Sequence, residues 1–175
     1  NHPELLGEAY LHTSEIYSQD KSYDLAQTYL TEAYIIFDGI NAINQKAITL
    51  VKSAKIHKRD KNYSLALKYL KQAHDNYLEQ GKVIESIELA KEIGTTAYEA
   101  GEFKEAEKFF TSSLSGFRQL NDTIEQMRIL ESLSTIYGFE KRFQEKINTE
   151  KKLINLCESA FAREKTAKHL IQLSN

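Results

Sequence analysis

The sequence contains few of the residues that stop helices or cross-link a chain. Its 175 residues include one proline, seven glycines, one cysteine and no tryptophan. Scarce glycine and proline leave long stretches free to form helices, because these two residues have the lowest helix propensities. The single cysteine, Cys157, excludes an internal disulfide framework and suits a reducing compartment. We therefore expect a helix-rich, cytoplasmic protein.

Long apolar runs and a strong charge imbalance are also missing. No apolar run approaches the roughly 18 to 20 residues needed to span a bilayer. The formal net charge of −2 gives no global basic field that would favour nucleic acid. These absences predict no direct nucleic-acid partner and no membrane contact within this segment. Because the sequence starts at Asn1 rather than Met, we expect it to be a fragment of a longer protein.

The residues that could support catalysis or bind a metal form no recognisable pattern. None of the five histidines belongs to a helical zinc site with a carboxylate beside it. His57 falls in the same packing column as Tyr17 and Tyr137, which indicates a packing role. Cys157 falls in an apolar column without an evident histidine partner, so we interpret it as a small buried hydrophobe. The sequence predicts no enzyme activity, no cofactor and no metal site.

A six-residue phrase recurs every forty residues. It reads KSYDLA at 21–26, KNYSLA at 61–66, GEFKEA at 101–106 and, more faintly, KRFQEK at 141–146. The aromatic of each copy is forty residues from the next: Tyr23, Tyr63, Phe103 and Phe143. A fixed period of this size in a helix-rich chain predicts stacked helical hairpins, because one amphipathic hairpin cannot bury its apolar face alone.

Each repeat is predicted to contain two amphipathic helices, A and then B. Apolar residues recur at three- and four-residue steps, which is the helical period. Short connections force A and B to run antiparallel. The predicted helices span 3–19, 23–39, 42–59, 63–79, 83–99, 103–119, 123–139 and 143–158, with a ninth at 160–173. They form repeats 3–40, 41–80, 81–120 and 121–159 and a terminal helix, in a single domain over 1–175.

The residue types at the helix ends support these boundaries. Ser22 and Asn62 can accept hydrogen bonds from the free N–H groups of a first helical turn. Asn41, Gly81 and Asn121 are residue types that readily adopt the left-handed conformation that closes a helix. We expect N-caps at the first two positions and left-handed residues at the other three.

The packing columns are regular in three repeats and weaker in the fourth. Ile16, Ile56 and Ile136 share one apolar column of the A helices. Small residues recur in the B helices, where they let two helices approach closely. In the fourth repeat Lys146 and Thr149 interrupt the small and aromatic columns. We expect looser packing there.

The columns together resemble the tetratricopeptide repeat. The third copy matches best, through Ile93, Gly94, Gly101, Phe103, Ala106, Phe110 and Ser113. The resemblance implies an all-α, right-handed superhelical α-solenoid of antiparallel helix hairpins, with about four repeats plus a C-terminal helix. The period exceeds the common 34 residues. The forty-residue repeat of this sequence is similar to the long-repeat branch of the family, which is found in kinesin light chains, mitotic-spindle scaffolds and bacterial peptide receptors.

The resemblance also implies where a partner binds, since the A helices of such arrays line the concave wall. A basic stripe of the second repeat, Lys52, Lys55 and Arg59, suits acidic side chains of an extended or helical segment. Alternatively, these residues form the solvated face of a long helix. The predicted partner-binding residues are His12, Lys52, Lys55, Arg59, Lys91, Thr95 and Arg128.

Three functions are compatible with these features. The first is a protein-interaction module that binds a peptide or a partner protein on the concave surface. The second is a sensory or regulatory domain of a bacterial signalling protein, such as a sensor kinase, a transcription regulator or a peptide receptor. The third is a scaffold that self-associates through the ends of the array, because a terminal repeat without a polar cap exposes an apolar face.

Overall fold

The chain folds into α-helices joined by tight turns. The computed structural model describes residues 2–174, with side chains described as far as residue 161. Within that range the fold is all-α, as predicted. The eight helices are α1 (Pro3–Gln19), α2 (Tyr23–Gly39), α3 (Ile43–Arg59), α4 (Tyr63–Glu79), α5 (Val83–Glu99), α6 (Phe103–Gln119), α7 (Thr123–Phe139) and α8 (Phe143–Ser174).

Each of the first seven helices is followed, two residues after its last residue, by a residue in the left-handed conformation. These left-handed residues are twenty positions apart. The predictions for Asn41, Gly81 and Asn121 are confirmed, with φ of 55°, 66° and 56°. Two backbone bonds close each turn, as where Ser22 N donates to Tyr17 O at 2.9 Å and Lys21 N to Ser18 O at 3.3 Å. This pair of bonds is the Schellman motif. The full series is Lys21, Asn41, Lys61, Gly81, Gly101, Asn121 and Lys141.

The last helix departs from the predicted pattern. Helices at 143–158 and 160–173 were expected, but α8 runs unbroken from Phe143 to Ser174. The next position in the twenty-residue series is Phe161, and a bulky side chain at positive φ is strained. No residue suited to a left-handed turn stands there, so the helix continues.

The N-cap predictions are half right. Asn62 caps α4, since its Oδ1 accepts from Leu65 N at 3.4 Å. Ser22 does not cap α2, because its hydroxyl donates to Asp20 Oδ2 at 2.9 Å instead. Asp122 provides a cap that the sequence reading missed, accepting from Glu125 N at 3.0 Å.

Two compact units make up the chain, residues 1–106 and 107–175. In the first unit α1 packs on α2, α2 on α3, α3 on α4, and α4 on α5. Its small-residue columns are buried as predicted: Ala26, Ala33, Ala66 and Ala73 are inaccessible to solvent. Ile56 packs with Ala26 and Leu30 in a shared core. The single domain over 1–175 stays a prediction.

One close contact in the first unit was not predicted. Gly7 of α1 is buried against the ring of Phe37 in α2, and a Cβ built on Gly7 would lie 2.7 Å from that ring. Only a glycine therefore fits this crossing of α1 and α2.

In the second unit α7 packs on α8. Ile129 and Ile136 are buried, the latter as its column predicts. Thr149 is buried too, and its hydroxyl donates to Glu145 O at 2.8 Å. The polar residue expected to weaken the fourth repeat thus satisfies its hydrogen bond within its own helix.

Two residues of the apolar columns are exposed. Ile16 was expected to pack as Ile56 and Ile136 do, but it is 65% exposed. Ile56 packs on the preceding helix, whereas no helix precedes α1 within the described residues. Phe143 is 63% exposed, while its equivalents Tyr23 and Tyr63 are half-buried.

An arginine in the second unit joins three helices. Arg142 donates to Glu107 at 2.6 Å, to Glu140 at 3.1 Å and to Glu145 at 3.1 Å. Its guanidinium lies 4.5 Å from the ring centroid of Tyr137, whose hydroxyl donates to Glu107 Oε1 at 2.9 Å. The bond from Arg142 lowers the pKa of Glu107. Burial, followed by the bond to Glu107, raises the pKa of Tyr137 to about 12.

Substitutions at two left-handed positions should have effects of opposite sign. Gly101 has φ of 79° and open space around its Cβ position, so Gly101→Ala should cost about 1 kcal/mol through backbone strain alone. Lys61 has φ of 58°, so Lys61→Gly should relieve strain and stabilise by up to about 1 kcal/mol. Urea unfolding measures both free energies. Changes of the same sign would contradict this assignment.

The Glu107 ion pair should make stability depend on acid. Because the folded-state pKa of Glu107 is lowered, its contribution is complete above its unfolded pKa of about 4.3 and is lost as pH falls through the folded pKa. Glu107→Gln should cost about 1 to 2 kcal/mol at neutral pH, and the difference from wild type should shrink in acid. Urea unfolding across a pH series measures this. Glu131→Gln, an exposed change on α7, is the matched control; equal effects of the two variants would refute the role of the pair.

Candidate functional site

Four of the seven predicted partner-binding residues lie together along α1 and α3. Lys52 Nζ donates to Glu15 Oε2 at 3.1 Å, and Arg59 Nη1 donates to Ser18 Oγ at 2.9 Å. These two bonds connect the helices side by side. We call the face formed by these residues the α1–α3 surface. It comprises His12, Glu15 and Ser18 of α1 and Lys52, Lys55 and Arg59 of α3.

Two neighbouring cavities open on the α1–α3 surface. One, of about 190 Å³, is lined by Lys52, Lys55 and Arg59 together with Glu15 and Ser18. The other, of about 320 Å³, is lined by His12 and shares Lys52 and Glu15 with the first. Each cavity has a volume that suits a single side chain of a partner rather than a large cofactor.

Lys55 differs from the two cations beside it. It is exposed, and it makes no hydrogen bond or ion pair with any residue of the described range 2–161. Lys52 and Arg59 each have a partner on α1. Lys55 therefore presents an exposed charge without a direct bonding partner in the described range, at the centre of the basic stripe.

The carboxylate of Glu15 stays ionised at neutral pH. The hydrogen bond from Lys52 and its positive charge lower the pKa of Glu15, and the nearby charges of His12 and Lys55 act in the same direction. Three cations and one carboxylate thus line the smaller cavity, which leaves it net positive.

Lys58, which lies between Lys55 and Arg59 in sequence, instead links α3 to α5. Its Nζ lies 2.9 Å from Glu92 Oε1 and 3.4 Å from Glu99 Oε1. Burial alone would lower the pKa of Lys58, but the bonds and charges of Glu92 and Glu99 outweigh it and raise the pKa. Lys58 therefore stabilises the packing of the helices.

The predicted residues of α5 lie outside the two cavities. Lys91 pairs with Glu88 of its own helix at 2.7 Å. Thr95 donates to the carbonyl of Lys91 at 3.1 Å and is half-buried. Neither residue lines a cavity of the α1–α3 surface. Their part in binding stays a prediction.

Arg128 belongs to the second unit. It is exposed and forms an ion pair with Glu125 of the same helix turn. This pairing by i, i+3 spacing is typical of a solvated helix face. Its part in binding also stays a prediction.

Ser18 is a member of the α1–α3 surface that sequence reasoning missed. It accepts the hydrogen bond from Arg59 and is half-buried. Its position three residues after Glu15 puts it on the same helix face. That spacing was the signal that could have found it.

The two residues singled out as possible catalytic groups have ordinary surroundings. His57 stacks on Tyr69 with ring centroids 5.5 Å apart, and burial lowers its pKa, so it is neutral at neutral pH. Cys157 was expected to be buried, which is wrong. It is exposed, and its Sγ lies 3.3 Å from Sδ of Met127 on α7.

The described residues contain neither a candidate metal site nor a candidate membrane span. No three His, Cys, Asp or Glu side chains within the described part of the chain are grouped to hold a metal ion. No helix over those residues is long and apolar enough to cross a membrane.

Comparisons with known proteins identify the fold but no close relative. No family model matches the sequence, and neither does any curated protein. Several solved structures are similar, all at low identity. BtubC from P. vanneervenii superimposes with a TM-score of 0.77 at 16% identity, over 90% of this chain and 65% of that one. A putative kinesin light chain of Podospora anserina with TPR-like repeats gives a TM-score of 0.72 at 12% identity, over 91% and 78%.

A third similar structure contains a bound peptide. It is the Rap conjugation gene regulator of a plasmid in complex with a Phr peptide, with a TM-score of 0.61 at 15% identity over 83% of this chain and 41% of that one. This chain spans less than two thirds of the BtubC and Rap structures. At such identities the likeness concerns the fold alone. The fold of this chain is that of the TPR-like helical-repeat proteins, with the forty-residue repeat that the sequence predicts.

Proposed function

We propose that this chain is a protein-interaction module that binds an acidic peptide, or an acidic segment of a partner protein, on the α1–α3 surface. The observation that carries the proposal is the exposed charge of Lys55, which has no partner among the described side chains and stands between Lys52 and Arg59. The likeness to a Rap regulator solved with a peptide supports binding by this fold. The role is that of a binding protein rather than an enzyme, in the cytoplasm.

The charges on this surface suit recognition by many modest contacts. An exposed ion pair contributes about 0 to 1 kcal/mol, because water and salt screen it. Arg59 offers a planar group that can bind a carboxylate in two places, and its bond to Ser18 holds it in position. Lys52 can exchange Glu15 for a carboxylate of the partner without leaving the surface. The net positive potential would mainly speed association and select against basic partners.

The competing interpretation is that these residues only keep the helix face solvated. Both interpretations predict a solvent-exposed basic stripe, but only the binding interpretation predicts that Lys55 affects the affinity for a partner. The sensory or regulatory role is favoured by the likeness to the Rap gene regulator, and it would use the same surface to receive its signal. Self-association through the array ends stays a prediction.

Reversing the charge of Lys55 should weaken binding of an acidic peptide. Lys55→Glu removes one attraction and adds a repulsion, so Kd should rise about tenfold, which is about 1.4 kcal/mol. The measurement is fluorescence anisotropy with a labelled peptide that contains four Asp or Glu residues. A second peptide with Asn and Gln at those positions should bind weakly to both proteins.

Lys104→Glu is the matched control, since Lys104 is exposed on α6 and lies outside the α1–α3 surface. Raising the salt concentration should weaken wild-type binding more than binding by Lys55→Glu. Equal losses in the two reversed-charge variants would show that net charge, rather than this surface, is responsible. An unchanged Kd for Lys55→Glu would refute the proposed site.

A further inference from the structure

A third cavity lies on the side of the first unit formed by α2 and α4. Its volume is about 270 Å³, and α3 contributes to its floor. One water occupies about 30 Å³ of liquid, so a single bridging water does not fill it. The α1–α3 surface and this cavity have only the core residue Leu30 in common. The two sites are therefore separate.

The floor of this cavity is polar at two positions whose columns hold a buried apolar residue in at least one other repeat, although Glu107 and Thr13 are further polar members of these columns. Gln27 occupies the column of Leu67, which is 3% exposed. Ser53 occupies the column of Ile93 and Leu133, both buried. The fold thus accepts large apolar residues in both columns. At this place Gln27 of the first repeat and Ser53 of the second form a hydrogen-bonding pair instead, and the smaller serine leaves space beside it.

The pair is incompletely satisfied. Gln27 Nε2 donates to Ser53 Oγ at 3.4 Å. Gln27 Oε1 is buried, and no donor among residues 2–161 reaches it. A buried acceptor without a partner costs stability, so such groups in native structures need an explanation. The hydroxyl hydrogen of Ser53 is also available, because its oxygen is the acceptor of the bond from Gln27.

The walls and rim of the cavity supply the other features of a binding site. Leu30 and Leu50 are apolar residues of the lining. Tyr69 lies on one side, where stacking on His57 holds its ring. Lys68 is exposed at the rim and makes no ion pair with any residue in the described range. An acceptor, a donor, apolar surface and a cation therefore border one space.

We propose that this cavity binds an N-acylated apolar amino acid. The Gln27 side chain turns its buried Oε1 toward the cavity to accept from the amide N–H of the ligand, and the acyl carbonyl of the ligand accepts from the Ser53 hydroxyl. Its apolar side chain lies against Leu30 and Leu50, and its carboxylate pairs with Lys68. The same chemistry is offered by a free acyl amino acid and by the last residue of a peptide.

The test is a titration of the isotope-labelled 175-residue chain with N-acetyl-leucine, followed by NMR. Shifts should saturate at residues of α2 and α4, with a Kd of about a millimolar for a ligand of this size. N-acetyl-N-methyl-leucine lacks the donor and should bind about fivefold more weakly. N-acetyl-leucinamide lacks the charge and should bind about threefold more weakly.

Substitutions of the cavity residues test the same proposal from the side of the protein. Two of them introduce residues that other repeats have at the equivalent positions. Gln27→Leu with Ser53→Ile places at these two positions the residues that are buried as Leu67 and Ile93 in the same columns, so the melting temperature should rise and binding should be lost. Lys68→Gln should reproduce the threefold loss seen with leucinamide. Lys104→Gln, an exposed change on α6, should leave Kd unchanged.

A tetrapeptide that ends in leucine, with a free or an amidated terminus, distinguishes the two ligand sources. If the tetrapeptide with a free terminus binds more tightly than N-acetyl-leucine, the site is supported and its ligand is the end of a peptide. If the two bind with equal affinity, the site is supported and its ligand is the free acyl amino acid. Shifts that do not saturate, or equal affinity for the N-methylated compound, would overturn the proposal. Unchanged affinity in Lys68→Gln would overturn the assigned orientation of the ligand.

Discussion

Close approach of paired helices is the constraint on which this fold depends. Ala26, Ala33, Ala66 and Ala73 are inaccessible to solvent, because the neighbouring helix lies directly against their methyl groups. Interiors pack as densely as crystals, so a larger side chain in these columns would push two helices apart. Gly7 is the extreme case, where even a methyl group would collide with Phe37. Every surface described above is positioned by these contacts.

The consequence for function is a separation between faces. The columns that face a neighbouring helix accept mainly small or apolar residues, while the remaining positions are free to carry charge. Lys58 shows how fine the distinction is: it follows Lys55 by three residues but is held by Glu92 and Glu99 of α5. A basic residue on α3 can therefore support packing or remain open to a partner, depending on which acidic residues the next helix presents.

Most of the fold could be predicted from the sequence, because its turns and columns are local patterns. Seven helices have the expected bounds to within a residue, since a fixed residue in each turn takes the left-handed conformation. Phe161 could have been recognised as unable to end α8 by the same rule. The exposure of Ile16 depends on which helix lies beside α1, and the pairing of Lys52 with Glu15 depends on side-chain reach across two helices. Periodicity indicates which residues share a face, but it does not determine their partners.

The twenty-residue spacing of the turns limits how the chain can change in length. Adding one residue inside a helix rotates all that follows by 100°, which turns a buried stripe toward water. Gaining or losing forty residues instead joins a B helix to an A helix whose contact face already matches. Insertions and deletions in such a gene should therefore persist as complete hairpins, while single-codon changes in length should be confined to the turns near Lys21, Lys61 and Lys141.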